Sequence, residues 1–152
     1  MAYPIHQHSD KIVVVGPAMG AIILAHNVSQ YLSKKGFEAH GIFTEKDKDG
    51  NFVIKRGYDK FLEGAKILIT EDILTTGGSA KKTADLIKKL GYGANIIAVG
   101  VLCNRGGVKA EDIGVSELFA LVNINLESWE PGKCPLCAQG IPINQDVGKG
   151  KK

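Results

Sequence analysis

Short apolar runs alternate with longer amphipathic stretches from residue 11 to about residue 124. The run at 11–16, Lys-Ile-Val-Val-Val-Gly, is β-branched and nearly continuous. That pattern predicts a strand buried on both faces, as in parallel sheets. Over residues 20–35, Ile22, Ile23, Ala25, His26, Val28, Ser29 and Leu32 recur near helical spacing, and Gly36 stands where a C-terminal cap is expected. A second strand is expected over 37–43, and others over 65–72, 95–103 and 117–124, with a helix over 78–90 closed by Gly91. Strands separated by helices of this length imply right-handed βαβ crossovers. The fold class predicted is therefore α/β: an open, mainly parallel sheet of about five strands with helices on both faces. Ligands on such sheets bind at the carboxyl ends of the strands, and the unusual stretches of this chain fall at those ends.

The alternation lapses over 44–64, where charged residues surround an Asp49-Gly50 turn signal and residues 52–55 read as a short strand. A flexible hairpin is expected there. From residue 127 on, Pro- and Gly-bearing sequence shows no periodicity and reads as loop. This divides the chain into a core at 1–126 and a C-terminal extension with a basic tail at 127–152. No internal repeat is visible.

Composition narrows the function classes. The formal charge is +3, but the last five residues alone carry Lys149, Lys151 and Lys152, so the remainder is near neutral. With no basic stripe interleaved with aromatics, nucleic acid is not an expected partner. No apolar run approaches the roughly 20 residues of a membrane span, and the first residues lack the apolar centre of a secretory signal. Three cysteines do not make a disulfide framework, so a reducing cytoplasm is the expected compartment.

The stretch at 67–91 carries the chemistry: a buried strand, the acids Glu71 and Asp72, then Thr75, Thr76, Gly77, Gly78 and Ser79, then an amphipathic helix. Glycines admit close backbone approach and a helix start offers unpaired N–H groups, so this segment suits an anion such as a phosphate monoester. The two acids just before it suit sugar hydroxyls, and together they fit a ribose 5-phosphate. A nucleoside triphosphate fits less well, because no Gly-Lys-Ser/Thr follows the glycines, and GxGxxG is absent.

Glu-Asp-Ile-Leu-Thr-Thr-Gly-Gly-Ser after a hydrophobic strand resembles the 5-phosphoribosyl-1-pyrophosphate (PRPP) signature of type I phosphoribosyltransferases. Four further segments resemble the orotate phosphoribosyltransferases among them. These are 13–25, like a pyrophosphate-holding loop; 42–58, like a mobile catalytic loop; 100–107, Gly-Val-Leu-Cys-Asn-Arg-Gly-Gly, like the stretch that meets orotate; and the Pro- and Cys-bearing 129–143. The resemblance covers nearly the whole chain. It implies transfer of a phosphoribosyl group from PRPP to a nucleobase, with orotate as the base, Mg²⁺ as cofactor and a homodimer. A purine transferase, or a PRPP-binding protein without catalysis, is the alternative.

By this resemblance, Glu71 and Asp72 hold the ribose hydroxyls, and Ile73, Leu74, Thr75, Thr76, Gly77, Gly78 and Ser79 complete the PRPP site. Thr75 also touches the base, and Ala18, Met19 and Gly20 bind pyrophosphate. Arg105 pairs with the orotate carboxylate, and Lys46 and Lys48 are the catalytic loop cations together with Asp72, with Lys55 and Arg56 as alternatives. Mg²⁺ is expected to be held mainly by PRPP itself. Two departures stand out. The first core strand begins at Lys11, so most of the segment that hoods the base in the family is expected to be missing. Ala21 also stands where a second glycine is usual. Cys134 and Cys137 are read as part of the tail structure, since a zinc site needs about four ligands and a redox pair normally opens a helix.

Overall fold

The computed structural model describes residues 11–127, 129–130 and 132–142. The reading of the first ten residues and the basic tail lie outside these. A six-stranded sheet runs in the order β3-β2-β1-β4-β5-β6. Its strands are β1 (Ile12–Pro17), β2 (Ala39–Lys46), β3 (Phe52–Val53), β4 (Lys66–Leu74), β5 (Asn95–Asn104) and β6 (Leu118–Asn123). All neighbouring pairs are parallel except β2 with β3, where Glu45 faces Val53 and Lys46 faces Phe52. The hairpin expected from the charged stretch thus supplies a sixth strand to a sheet expected to have about five.

Alternation along β1 assigns the two faces. Val13 and Val15 join Ile67, Ile69, Val99 and Val101 in the main core, against Ala80, Ala84 and Ile87 of the helix α2 (Gly78–Leu90). Ile12 and Val14 point the other way, onto Ala25, Val28 and Leu32 of α1 (Ile22–Lys34). Helices therefore cover both faces, as the pattern predicts. Each wholly buried Val or Ile contributes roughly 1.5–3 kcal/mol of transfer free energy.

Among the differences from expectation, three have a local physical reason or a bearing on the site. β2 starts at Ala39 rather than residue 37, because the Phe37 N–H closes back onto the Leu32 carbonyl at 3.2 Å and finishes the α1 terminus. β4 runs on through both acids to Leu74, whose side chain is buried in the main core and whose partner on β5 is Asn104. The acids lie within the strand, as expected, and the strand continues two residues past them. Residues 135–138, expected to be loop, form a short helix, α4 (Pro135–Ala138). Proline at its first position is compatible with a helix start, because the missing N–H would have no partner there and φ is already helical. A 3₁₀ turn (Tyr58–Leu62) and α3 (Ala110–Ile113) complete the elements. No helix among the described residues is long and apolar enough to cross a membrane.

Candidate functional site

At the carboxyl end of the sheet, the loop after β1, the hairpin, the end of β4, the start of α2 and the loop after β5 enclose an open cleft of about 790 Å³. Its wall carries Ala18, Met19, Gly20, Lys46, Glu71, Asp72, Ile73, Leu74, Thr75, Thr76, Gly77, Gly78, Ser79 and Arg105. Of the site residues singled out from the sequence, Lys48, on the hairpin tip, is off that wall, and so are the alternative cations Lys55 and Arg56. Pro17 and Phe52 line it as well.

The anion nest is built by the entry to α2. Gly77 is the N-cap, at φ 74°, and no side chain among the described residues caps the helix. A Cβ on Gly77 would meet Val108 Cγ1 at 2.9 Å, so glycine is needed there for space as well as for its left-handed backbone. The first intrahelical bond is Lys81 N–H to the Gly77 carbonyl, 2.9 Å, which leaves the N–H groups of Gly78, Ser79 and Ala80 without intrahelical acceptors. No acid stands in the first turn. The positive end of a 13-residue helix is thus open to an external anion.

Above the nest, Glu71 is buried and Asp72 half-buried. Asp72 Oδ1 accepts the Ile73 N–H at 2.8 Å, which orients the carboxylate. A Cβ on Gly20 would run into that carboxylate, so the loop after β1 lies directly on Asp72. The same loop contains a cis peptide between Ala18 and Met19. Ala21, the expected departure from the family pattern, has φ −92°, so no left-handed backbone demands glycine there. Its carbonyl sits where a Cβ on Gly16 would go, and Gly16 is the residue that needs to be glycine. Leu74 directs its side chain into the core, so it contributes to the cleft only through its backbone.

Arg105 is carried by a loop closed at two points. Its N–H donates to the Leu74 carbonyl at 3.0 Å. Asn104, buried behind it, donates Nδ2–H to the Val108 carbonyl at 2.8 Å and accepts the Val108 N–H on Oδ1 at 3.1 Å. Gly106 packs so closely on the Thr75 carbonyl that no Cβ would fit. The Arg105 Nε is buried with no hydrogen-bond partner among the described residues. Arg105 itself lines the cleft. Asn104 was not anticipated from the sequence, although the Asn-Arg-Gly-Gly run was.

The hairpin brings Lys46 to the wall with its ammonium 5.8 Å from the Phe52 ring centroid. The alternative cations are committed elsewhere: Arg56 Nη2 and Nε donate to Glu45 Oε1 at 2.7 and 3.1 Å, and Lys55 lies 4.0 Å from Glu45 Oε2. The tip is ordered by Asp47 Oδ1, which accepts the N–H groups of Asp49 and Asn51 at 2.9 and 2.8 Å. The predicted turn residue Gly50 adopts φ 79°.

A glycine-built anion nest, a carboxylate pair and a small loop in one cleft are what the resemblance requires, and comparison decides the family. Residues 1–132 match the phosphoribosyl transferase domain. The chain belongs to the phosphoribosyltransferase family. The orotate phosphoribosyltransferase of Thermotoga maritima is 40% identical over 144 residues, covering 94% of this chain and 71% of that enzyme. This relation sets the chain among the orotate phosphoribosyltransferases within the family. Solved structures share the fold. The hypoxanthine phosphoribosyltransferase of Trypanosoma cruzi has a TM-score of 0.57 at 14% identity, over 80% of this chain and 66% of that one. The orotate phosphoribosyltransferase of Aeropyrum pernix has a TM-score of 0.55 at 19% identity, over 73% and 59%.

Proposed function

We propose that this chain transfers the phosphoribosyl group of PRPP to orotate, giving orotidine 5′-monophosphate and pyrophosphate. The observation that carries this is the convergence in one cleft of the α2 entry with its open N–H groups, Glu71 and Asp72, the Gly20 loop and Arg105. The 5-phosphate takes the α2 N–H groups and the hydroxyls of Thr75, Thr76 and Ser79. The ribose hydroxyls donate to Glu71 and Asp72. The pyrophosphate lies against the backbone of Ala18, Met19 and Gly20. Arg105 faces the orotate carboxylate, a planar acceptor suited to its guanidinium, and Thr75 lies within the same wall.

In the reaction the bond from the anomeric carbon to a pyrophosphate oxygen breaks. A bond from that carbon to the orotate ring nitrogen forms, and the nitrogen's proton leaves to solvent. Positive charge grows on the sugar between the Glu71 and Asp72 carboxylates, and negative charge grows on the leaving group near Lys46. The protein's contribution is positioning and electrostatics.

Magnesium fits this donor set. The Glu71 and Asp72 carboxylates line the cleft and are hard oxygen donors of the kind magnesium takes alongside ligand oxygens. When bound with PRPP it supplies charge neutralisation of the departing pyrophosphate.

The same proposal includes a cytoplasmic homodimer. On β5 and β6, the residues opposite the main core are Gly100, Leu102, Phe119 and Leu121, and Leu121 is 80% exposed. This apolar sheet face supports association, and sedimentation of the full chain tests it.

The test of function is incubation with Mg²⁺, PRPP and either orotate or a purine base, with chromatographic separation of nucleotides. Orotidine 5′-monophosphate from the orotate reaction alone is the expected result. A purine nucleotide would overturn the base assignment. Absence of any nucleotide alongside calorimetric binding of PRPP would make the chain a non-catalytic PRPP binder. Arg105→Ala is expected to raise the KM for orotate about 10–100-fold, the worth of a charge-assisted hydrogen bond, with PRPP affinity little changed.

A further inference from the structure

Outside the cleft, the C-terminal extension holds two thiols on a single helical turn. Cys134 is the N-cap of α4 and Cys137 its third residue, with Pro135 at the first position. The turn is closed by its own backbone: the Ala138 N–H donates to the Cys134 carbonyl at 3.1 Å, and the Ile141 N–H to the Leu136 carbonyl at 3.0 Å, past Gly140 at φ 73°. These bonds hold the two cysteines on one side of the turn. Both are free thiols, Cys134 half-buried and Cys137 exposed.

Two chemistries suit such a pair. A structural zinc ion takes about four ligands, and among the described residues no third His, Cys, Asp or Glu joins these two. A disulfide needs only the pair. With a rise of about 1.5 Å per residue on a cylinder of about 2.3 Å radius, Cα atoms three residues apart on a helical turn lie about 5 Å apart, inside the Cα separation of about 4.4–6.8 Å that a disulfide spans.

We propose that Cys134 and Cys137 form a redox-active dithiol that exchanges with low-molecular-weight disulfides of the glutathione class and closes to an intrachain disulfide. Cys134 is the attacking thiol. The neighbouring Cys137 N–H first, and then the Cys137 thiol and the Leu136 N–H, favour its charged form and hold it below the ordinary thiol range. Donation to Cys134 and the charge on that sulfur raise the Cys137 thiol. The Cys134 thiolate attacks one sulfur of the small disulfide, whose S–S bond breaks and releases one thiolate, leaving a mixed disulfide on Cys134. Cys137 loses its proton to solvent and attacks the Cys134 sulfur, and the second small thiolate leaves. In balance, two protein thiols are oxidised to one disulfide and one small disulfide is reduced to two thiols. The Pro-bearing pair thus opens a helix in the manner of redox CxxC motifs, a geometry that the loop expected from the sequence would not have provided.

The test uses the full chain with Cys103→Ser, equilibrated in buffers of varied reduced and oxidised glutathione, quenched with an alkylating reagent and weighed by mass spectrometry. Both remaining alkylation sites are expected to disappear together, without a stable glutathione adduct. Adding Cys137→Ser is expected to trap one adduct on Cys134, at least tenfold more than Cys134→Ser traps on Cys137 at the same pH. Peptide mapping of the oxidised unsubstituted chain locates the link without any substitution. Separate modification of the two cysteines, or thiols that stay reduced throughout, would overturn the proposal. So would zinc retained at one ion per two chains with both cysteines protected, which would make the pair half of a metal knuckle.

Discussion

Asn104→Ala is the substitution whose cost the structure allows to be worked out most directly. Asn104 is 6% exposed and Val108 7%. The asparagine side chain satisfies both backbone groups of Val108, at 2.8 and 3.1 Å. Alanine removes the donor and the acceptor together and leaves the Val108 N–H and carbonyl unpaired. Each unsatisfied buried group costs about 1–3 kcal/mol. Gly106 and Gly107 beside them are exposed, so water can reach part of the opened loop, and the lower half of the summed range applies: about 2–4 kcal/mol. For a domain of this size that corresponds to a fall in Tm of roughly 5–15 °C.

Loss of these two hydrogen bonds also loosens Arg105, which precedes the two glycines. Calorimetry or urea denaturation measures the stability term, and KM for orotate against the dissociation constant of PRPP measures the positioning term. The expected pattern is a destabilised protein whose KM for orotate rises while PRPP binding changes little. Asn104→Asp sharpens the test: an ionised carboxylate opposes the Val108 carbonyl at neutral pH, and stability returns as the pH falls and the group gains a proton to donate. A loss of stability under about 0.5 kcal/mol, the range of an ordinary surface change, would refute the reasoning.

Three further outcomes are expected. Gly20→Ala places a methyl on the Asp72 carboxylate, and an overpacking cost of about 1–3 kcal/mol weakens PRPP binding about tenfold or more by calorimetry; unchanged affinity would separate this loop from the ligand. Lys46→Ala lowers kcat about 100-fold, as for loss of one transition-state donor, whereas Lys48→Ala stays within about twofold, and the reverse order would transfer the role to Lys48. Asp47 is held below the ordinary carboxylate value, chiefly by the Asn51 N–H. A depressed acid contributes to the hairpin turn fully above its unfolded pKa of about 3.9 and loses that contribution as pH falls through the folded value. The amide shifts of Asp49 and Asn51 should therefore titrate below about pH 3.9, and a midpoint at or above it would contradict the assignment.

What could be read from the sequence is what depends on contiguous residues. The β-branched runs of β1 and β4 and the periodicity of α2 are local signals, and the anion nest is local too. Two glycines before an amphipathic helix leave open N–H groups wherever the chain goes. Arg105 and Lys46 were identifiable only as members of a resemblance, because nothing in their own neighbourhoods distinguishes them from solvated cations. What separates Lys46 from its rivals is the Glu45–Arg56 ion pair, formed between residues eleven apart across a hairpin that must first fold.

The extension shows the limit more sharply. Pro135, with Gly and Pro nearby, favours a loop in the sequence, and a proline inside a helix does break it by removing a donor and clashing with the preceding turn. At the first helical position neither cost arises, since that N–H has no intrahelical acceptor. The sign of the effect depends on one position of register, and no periodic apolar pattern surrounds Pro135 to set that register. Asn104 fails to announce itself for a related reason. Its partners are backbone groups of Val108, and backbone groups are the same at every residue, so no side-chain pattern marks the pairing. The undetected features are thus those whose energetics turn on where the backbone points, and both bear on chemistry: one positions Arg105, the other places two thiols on one turn.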